Sequence, residues 1–191
     1  RLGEAELDAL LITSLSSELG AADVAAALGA PPDAARLLVD RARATGLVEP
    51  SHPPRFLRQV HRAVAQIVGT ARHRDLEAAL LRTQVEMSTL STELALRLAE
   101  HGVQDSRLAD LLRRHATAVR ADPVLAVRVY RAAVEAGAGE LRCRLADALG
   151  VVGDCTAAAA LADELLGSED PAERAAAVRV PVEMLPMPAR L

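Results

Sequence analysis

The spacing of apolar positions along the chain is helical almost throughout. In "EAELDALLITSLSSELG", Leu7, Leu10, Leu11, Leu15 and Leu19 recur at three- and four-residue steps, which predicts a helix with one apolar face. Gly20 is placed to stop it. "DVAAALG" reads as a short helix closed by Gly29, and Pro31 and Pro32 suit the first turn of the next. That next helix, "DAARLLVDRARATG", is expected to turn Leu37, Leu38 and Val39 inward and to end at Gly46. "LVEPSHPPRFL" breaks the pattern with three prolines and allows at most a compact two-strand wing. Helical spacing resumes in "RQVHRAVAQIVG".

Beyond this point helix follows helix with short breaks. The pattern predicts helices over Arg72–Gln84, Ser91–His101, Asp105–Arg120, Pro123–Ala136, Gly139–Gly150 and Cys155–Leu166, with another starting at Pro171. Gly, Asp-Pro and Gly-Asp signals punctuate them. Connections this short make antiparallel pairs. Two of the pairs look alike. Ala126, Tyr130 and Ala133 share a face of one helix, and Ala158, Ala162 and Leu165 have similar spacing 32 residues later. Leu145 and Leu149 fit the apolar positions of the helix between them. Small residues at such positions let paired helices approach closely, as in tetratricopeptide-like repeats. The large aromatic expected early in the first helix of such a repeat is Arg142 here.

Composition sharpens the class. Ala and Leu dominate, while the 191 residues hold one Phe, one Tyr and no Trp. Ala and Leu favour helices and strand formers are sparse, so the expected class is all-α with at most a tiny sheet. The domains expected are a winged-helix domain over residues 1–70 and tetratricopeptide-like helical repeats over residues 71–191. The chain begins at Arg1 without an initiator Met and ends in "PMPARL", which reads as a piece of a longer polypeptide. No apolar run approaches the roughly 20 residues of a membrane span, and no signal peptide is visible. Cys143 and Cys155 are the only cysteines. Without paired spacing they read as reduced core residues in a cytoplasmic protein.

The formal charge of −4 is unevenly spread. Between Asp33 and Arg74 eight Arg oppose three acids, a local +5 that leaves −9 elsewhere. There is no Lys, a bias that GC-rich codon usage accounts for. The basic centre suits phosphates or an acidic neighbouring domain.

Signatures of catalysis are missing. The chain contains no GxxxxGK[ST] phosphate loop, no GxSxG elbow and no HExxH pair. His52, His61, His73, His101 and His115 are scattered. His61 and His73 lie too far apart to bind a metal from one helix face. The expectation is a non-enzymatic chain with no catalytic residue, no metal site and no cofactor of its own.

The order of elements resembles a known family. A winged helix, an exit "ATGLVEP", a helix opening at Phe56, then linking helices "ELALRLAEHGVQDSRLADLLRRHATAVRADPVLAVRVYRAAVEAG" and the repeat "RLADALGVVGDCTAAAALADELL" are similar to the middle of LuxR-type, ATP-dependent transcriptional regulators of the STAND class, the maltose-regulator kind. The resemblance implies a parent protein that binds ATP or ADP in a preceding nucleotide-binding domain. It implies that the winged helix packs on that domain as an intramolecular adaptor. The repeats would sense an inducer, with a sugar as precedent, or a protein. DNA would be bound by a separate C-terminal domain. Where the family commonly carries a His after the Phe, this chain has Arg58, which becomes the candidate nucleotide-sensing residue. Phe56, Val60 and Val64, with Ile67 and Val68, cover more than one helix face and are expected at an interdomain joint. Two other functions remain open from the residues: a repeat scaffold for a protein partner, and a winged helix that reads DNA through Arg36, Arg41 and Arg43.

Overall fold

The computed structural model describes residues 2–119, 121–169 and 171–177. These residues are helical and turn-forming, with no strand among them. The order is α1 (Glu4–Leu15), α2 (Ala21–Leu28), α3 (Pro32–Ala44), α4 (Pro54–Val68), α5 (Thr70–Glu86), α6 (Thr92–Glu100), α7 (Ser106–Ala118) and α8 (Pro123–Glu135). A 3-10 turn at Gly139–Leu141 leads into α9 (Arg142–Val151), α10 (Cys155–Leu166) and α11 (Pro171–Ala177). The all-α class is therefore correct. No helix among the described residues is long and apolar enough to cross a membrane. The "PMPARL" end lies outside the described residues.

Two compact units divide the chain, Arg1–Leu98 and Ala99–Leu191. The division falls within α6. In the first unit α1 is the central element. It packs on α3 and α4 and also meets α2 and α5. Every residue from Asp8 to Leu15 is buried, so α1 has no solvent face over its last two turns. An apolar helix enclosed on several sides is a core helix, not an amphipathic surface one. Leu10, Leu11, Ile12 and Leu15 are each 1% exposed. Burying each such side chain contributes about 1.5–3 kcal/mol relative to leaving it in water.

Several expected details change. The first helix stops at Leu15 and not at Gly20, because Ser16 is already extended at φ −151°, ψ 143°. Leu19 nonetheless reaches the core from the turn that follows. On α3 the buried residues are Ala35, Val39 and Ala42, a true helical stripe. Leu38 is half-buried and Leu37 is 53% exposed, so the consecutive Leu-Leu-Val run is split between faces. A helix turns about 100° per residue, and three neighbours cannot all face one core. The residues offered as a wing form turns from Thr45 to Ser51. Pro50, Pro53 and Pro54 lack the N–H groups that a strand ladder needs.

The second unit contains α7 against α8, α8 against α9, α9 against α10 and α10 against α11. Ala126, Tyr130, Ala133, Leu145, Leu149, Ala158 and Leu165 are buried, while Ala162 is half-buried. Asp residues start α7, α8 and α10. Asp105 accepts hydrogen bonds from the N–H groups of Arg107 (2.8 Å) and Leu108 (3.4 Å) at the head of α7. Asp122 accepts from Val124 and Leu125, both at 3.1 Å, at the head of α8. Asp154 accepts from Ala157 at 3.2 Å at the head of α10. Cys143 and Cys155 are half-buried and are not joined in a disulfide.

Candidate functional site

The first unit buries a cluster of polar groups where α1, α4 and α5 meet. On α4 the buried residues are Leu57, Val60, His61 and Val64, so His61 is carried inward by the same stripe that forms the core. On α5 the inward face is Leu76, Glu77, Leu80, Leu81 and Gln84, and His73 lies one turn before Glu77. One residue, Gly69, separates the two helices. Its φ of 90° and ψ of 152° belong to a region that essentially only glycine occupies. That sharp break brings His61 and His73 together although 12 residues separate them.

The three side chains converge on one point. His61 Nε2 lies 3.1 Å from His73 Nε2 and 3.6 Å from Glu77 Oε1. His73 Nε2 lies 3.0 Å from the same Glu77 oxygen. The side chains of His61 and Glu77 are 5% and 2% exposed, and that of His73 17%. On the other edge of the His61 ring, Nδ1 is 3.1 Å from the Leu11 carbonyl and 3.0 Å from Ser14 Oγ. Ser14 already donates its hydroxyl proton to that Leu11 carbonyl at 2.8 Å. Both neighbours therefore present acceptors, and Nδ1 must carry the proton. In its neutral form the His61 ring then directs a lone pair from Nε2 toward His73 and Glu77.

One turn earlier on α1, Asp8 is buried and receives two hydrogen bonds from Arg72 of α5, at 2.6 Å and 3.2 Å. Hydrogen bonding to Asp8, reinforced by its negative charge, holds the Arg72 guanidinium above its ordinary pKa. Gln84 donates to Asp23 Oδ1 at 2.5 Å, tying α5 to α2, while Asp23 also receives the Gly20 N–H at 2.8 Å. Among the described residues every fully buried side-chain N or O atom has a hydrogen-bond partner.

The residues singled out from the sequence are dispersed. Arg58 is on the exposed face of α4. Phe56, Val60 and Val64, expected at an interdomain joint, lie in a helix internal to the first unit. Val60 and Val64 are buried in its core. Phe56 is half-buried and packs against His52 in a tilted arrangement, with ring centroids 4.5 Å apart. Leu57, which the sequence reading passed over, takes the deep position at 4% exposure. Ile67 is 68% exposed, so α4 is amphipathic and not apolar around its circumference. Of the arginines offered for DNA, Arg36 pairs with Asp33 at 3.3 Å and Arg41 with Glu6 of α1.

Spacing within one helix does not reveal the His61–His73–Glu77 grouping, because His61 and His73 sit on different helices. A signal for it exists. His73 and Glu77 stand at i and i+4, and His61 sits inside an apolar stripe where a polar side chain needs a partner. Two nitrogens and one carboxylate oxygen form a donor set that suits a divalent transition metal.

In the second unit, α8 and α9 enclose a groove of about 390 Å³ lined by Ala126, Tyr130, Arg144, Asp147 and Val151 among others. Desolvation raises the Asp147 carboxyl above the usual aspartate range. The groove thus offers one aromatic ring, one cation and one anion on small-residue walls. The chain matches no protein-family model, no curated protein and no solved structure.

Proposed function

We propose that the chain is a non-catalytic regulatory segment. In it a helical adaptor precedes an array of antiparallel helix pairs that binds an inducer or a protein partner, as in the sensor arms of STAND-class regulators. The observation that carries this reading is the α8/α9 groove, where Tyr130, Arg144 and Asp147 supply mixed polar and aromatic contacts on a scaffold of small residues. Groove walls built from Ala leave room for a ligand between paired helices, and a few convergent polar groups fix its orientation. In the parent protein, binding there would act by favouring one of two conformations, which requires different affinity for each. The winged-helix and tetratricopeptide-like assignments, the ATP-binding parent and the adaptor role of the first unit belong to this proposal. Arg58, on the exposed face of α4, is free of core duty and suits contact with a nucleotide-binding neighbour.

Tyr130 is the chain's single tyrosine and there is no tryptophan, so the groove carries its own fluorescent probe. The test titrates the chain with mono- and disaccharides and with acidic and basic peptides while following tyrosine emission. The expected result is saturable change with one ligand class, lost in Arg144→Glu. Binding that persists undiminished in Arg144→Glu and Asp147→Ala would place the ligand elsewhere and remove the groove from the mechanism.

A further inference from the structure

We propose that His61, His73 and Glu77 form a binding site for a divalent transition metal of the zinc class, which fastens α4 to α5 inside the first unit. The inference is independent of the sensor reading. A tetrahedral ion that holds nitrogen and oxygen donors at about 2.0–2.1 Å separates those donors by roughly 3.3 Å. The three edges of this cluster, 3.0, 3.1 and 3.6 Å, bracket that spacing. The donors come from two helices joined by a single glycine.

The surroundings match what a metal-bound histidine needs. A ligating imidazole generally donates its second ring N–H to a carbonyl or carboxylate, which fixes the tautomer and aims the lone pair. His61 Nδ1 does this toward the Leu11 carbonyl, whose position is held by α1 and by Ser14. Glu77 places a carboxylate in the core beside both imidazoles. A divalent cation neutralises it while satisfying both imidazole lone pairs at once. Zinc and cobalt fit the nitrogen–oxygen donor set, and water or a further side chain completes four-coordination. Because ligands must be deprotonated, binding should release protons in proportion to how many the metal-free cluster holds.

The experiment uses the full chain, stripped with chelator and returned to metal-free buffer. Zinc chloride and cobalt chloride are added, and bound metal is measured after dialysis. One equivalent of zinc should remain, cobalt should give the intense visible bands of a tetrahedral site, and the melting temperature should rise by several degrees. Glu77→Gln and His73→Gln should each lower affinity at least tenfold, while His115→Ala in the second unit should leave it unchanged. Should the buried variants fail to fold, the wild-type protein decides alone through long-range proton–nitrogen spectra of its imidazoles. Zinc should move the Nε2 signals of His61 and His73 and leave the His61 Nδ1 proton in place. Absence of retained metal in the wild type would overturn the proposal and leave a proton-bridged polar cluster. Retained metal without those Nε2 shifts, or with affinity unchanged in both folded variants, would equally overturn it.

Discussion

At the scale of single residues, burial separates neighbours that look equivalent in the sequence. Phe56 is the only phenylalanine, yet it is half-buried against His52, while Leu57 lies in the core at 4% exposure. Leu57→Ala should therefore cost about 2–5 kcal/mol. Phe56→Ala should cost only about 1–2 kcal/mol, since part of its surface is already wet. Urea melts of the two variants check the order, and a larger loss at Phe56 would contradict it. Arg72→Ala should cost about 1–3 kcal/mol, because it leaves the buried Asp8 carboxylate without its guanidinium. The double variant Asp8→Asn, Arg72→Ala should recover part of that loss in the same melts, since no charge then remains buried at that position. None of these differences follows from residue type. They follow from which side of α1 or α4 the residue occupies.

At the scale of elements, helix ends and the joints between helices decide the geometry. Asp105 heads α7, and its carboxyl is held below the usual aspartate range, chiefly by the Arg107 side chain and then by backbone N–H groups. A folded-state pKa below the unfolded value means stability that is fully present above the unfolded pKa, about 3.9, and lost as pH falls through the folded pKa. Asp105→Ala should thus cost about 1 kcal/mol at neutral pH. The gap from wild type should shrink steadily once the pH drops below about 4, as thermal melts across that range would record. Gly69 is the second such element. With φ at 90° it sets the turn from α4 into α5, and a Cβ there meets open space, so only backbone strain opposes substitution. Gly69→Ala should cost about 1–3 kcal/mol by denaturant melts. Helices on either side were legible from spacing alone. The angle at which the glycine joins them was not, because periodicity describes one element at a time.

At the scale of the whole molecule, charge and packing set what the chain can engage. The net charge of −4 removes most of the counterion-release drive toward DNA, and Arg36 and Arg41 are already paired with acids. The expected outcome is no sequence-selective binding to a short duplex at near-physiological salt. Nanomolar affinity for one duplex over another in a mobility assay would instead favour direct DNA reading. What the sequence determined by itself is the all-α class, the approximate extent of the helices, the Asp-led helix starts and the small-residue faces of α8 and α10. These rest on local terms: propensity, capping and the 3.6-residue period. Tertiary structure alone decided that α1 is enclosed on several sides, that Leu57 and not Phe56 is the core residue, and that the turn chemistry after Thr45 builds no strand. It also decided that His61 meets His73 and Glu77. Each of these depends on which helix packs against which face, and contacts between segments 12 to 64 residues apart leave no periodic trace in the chain.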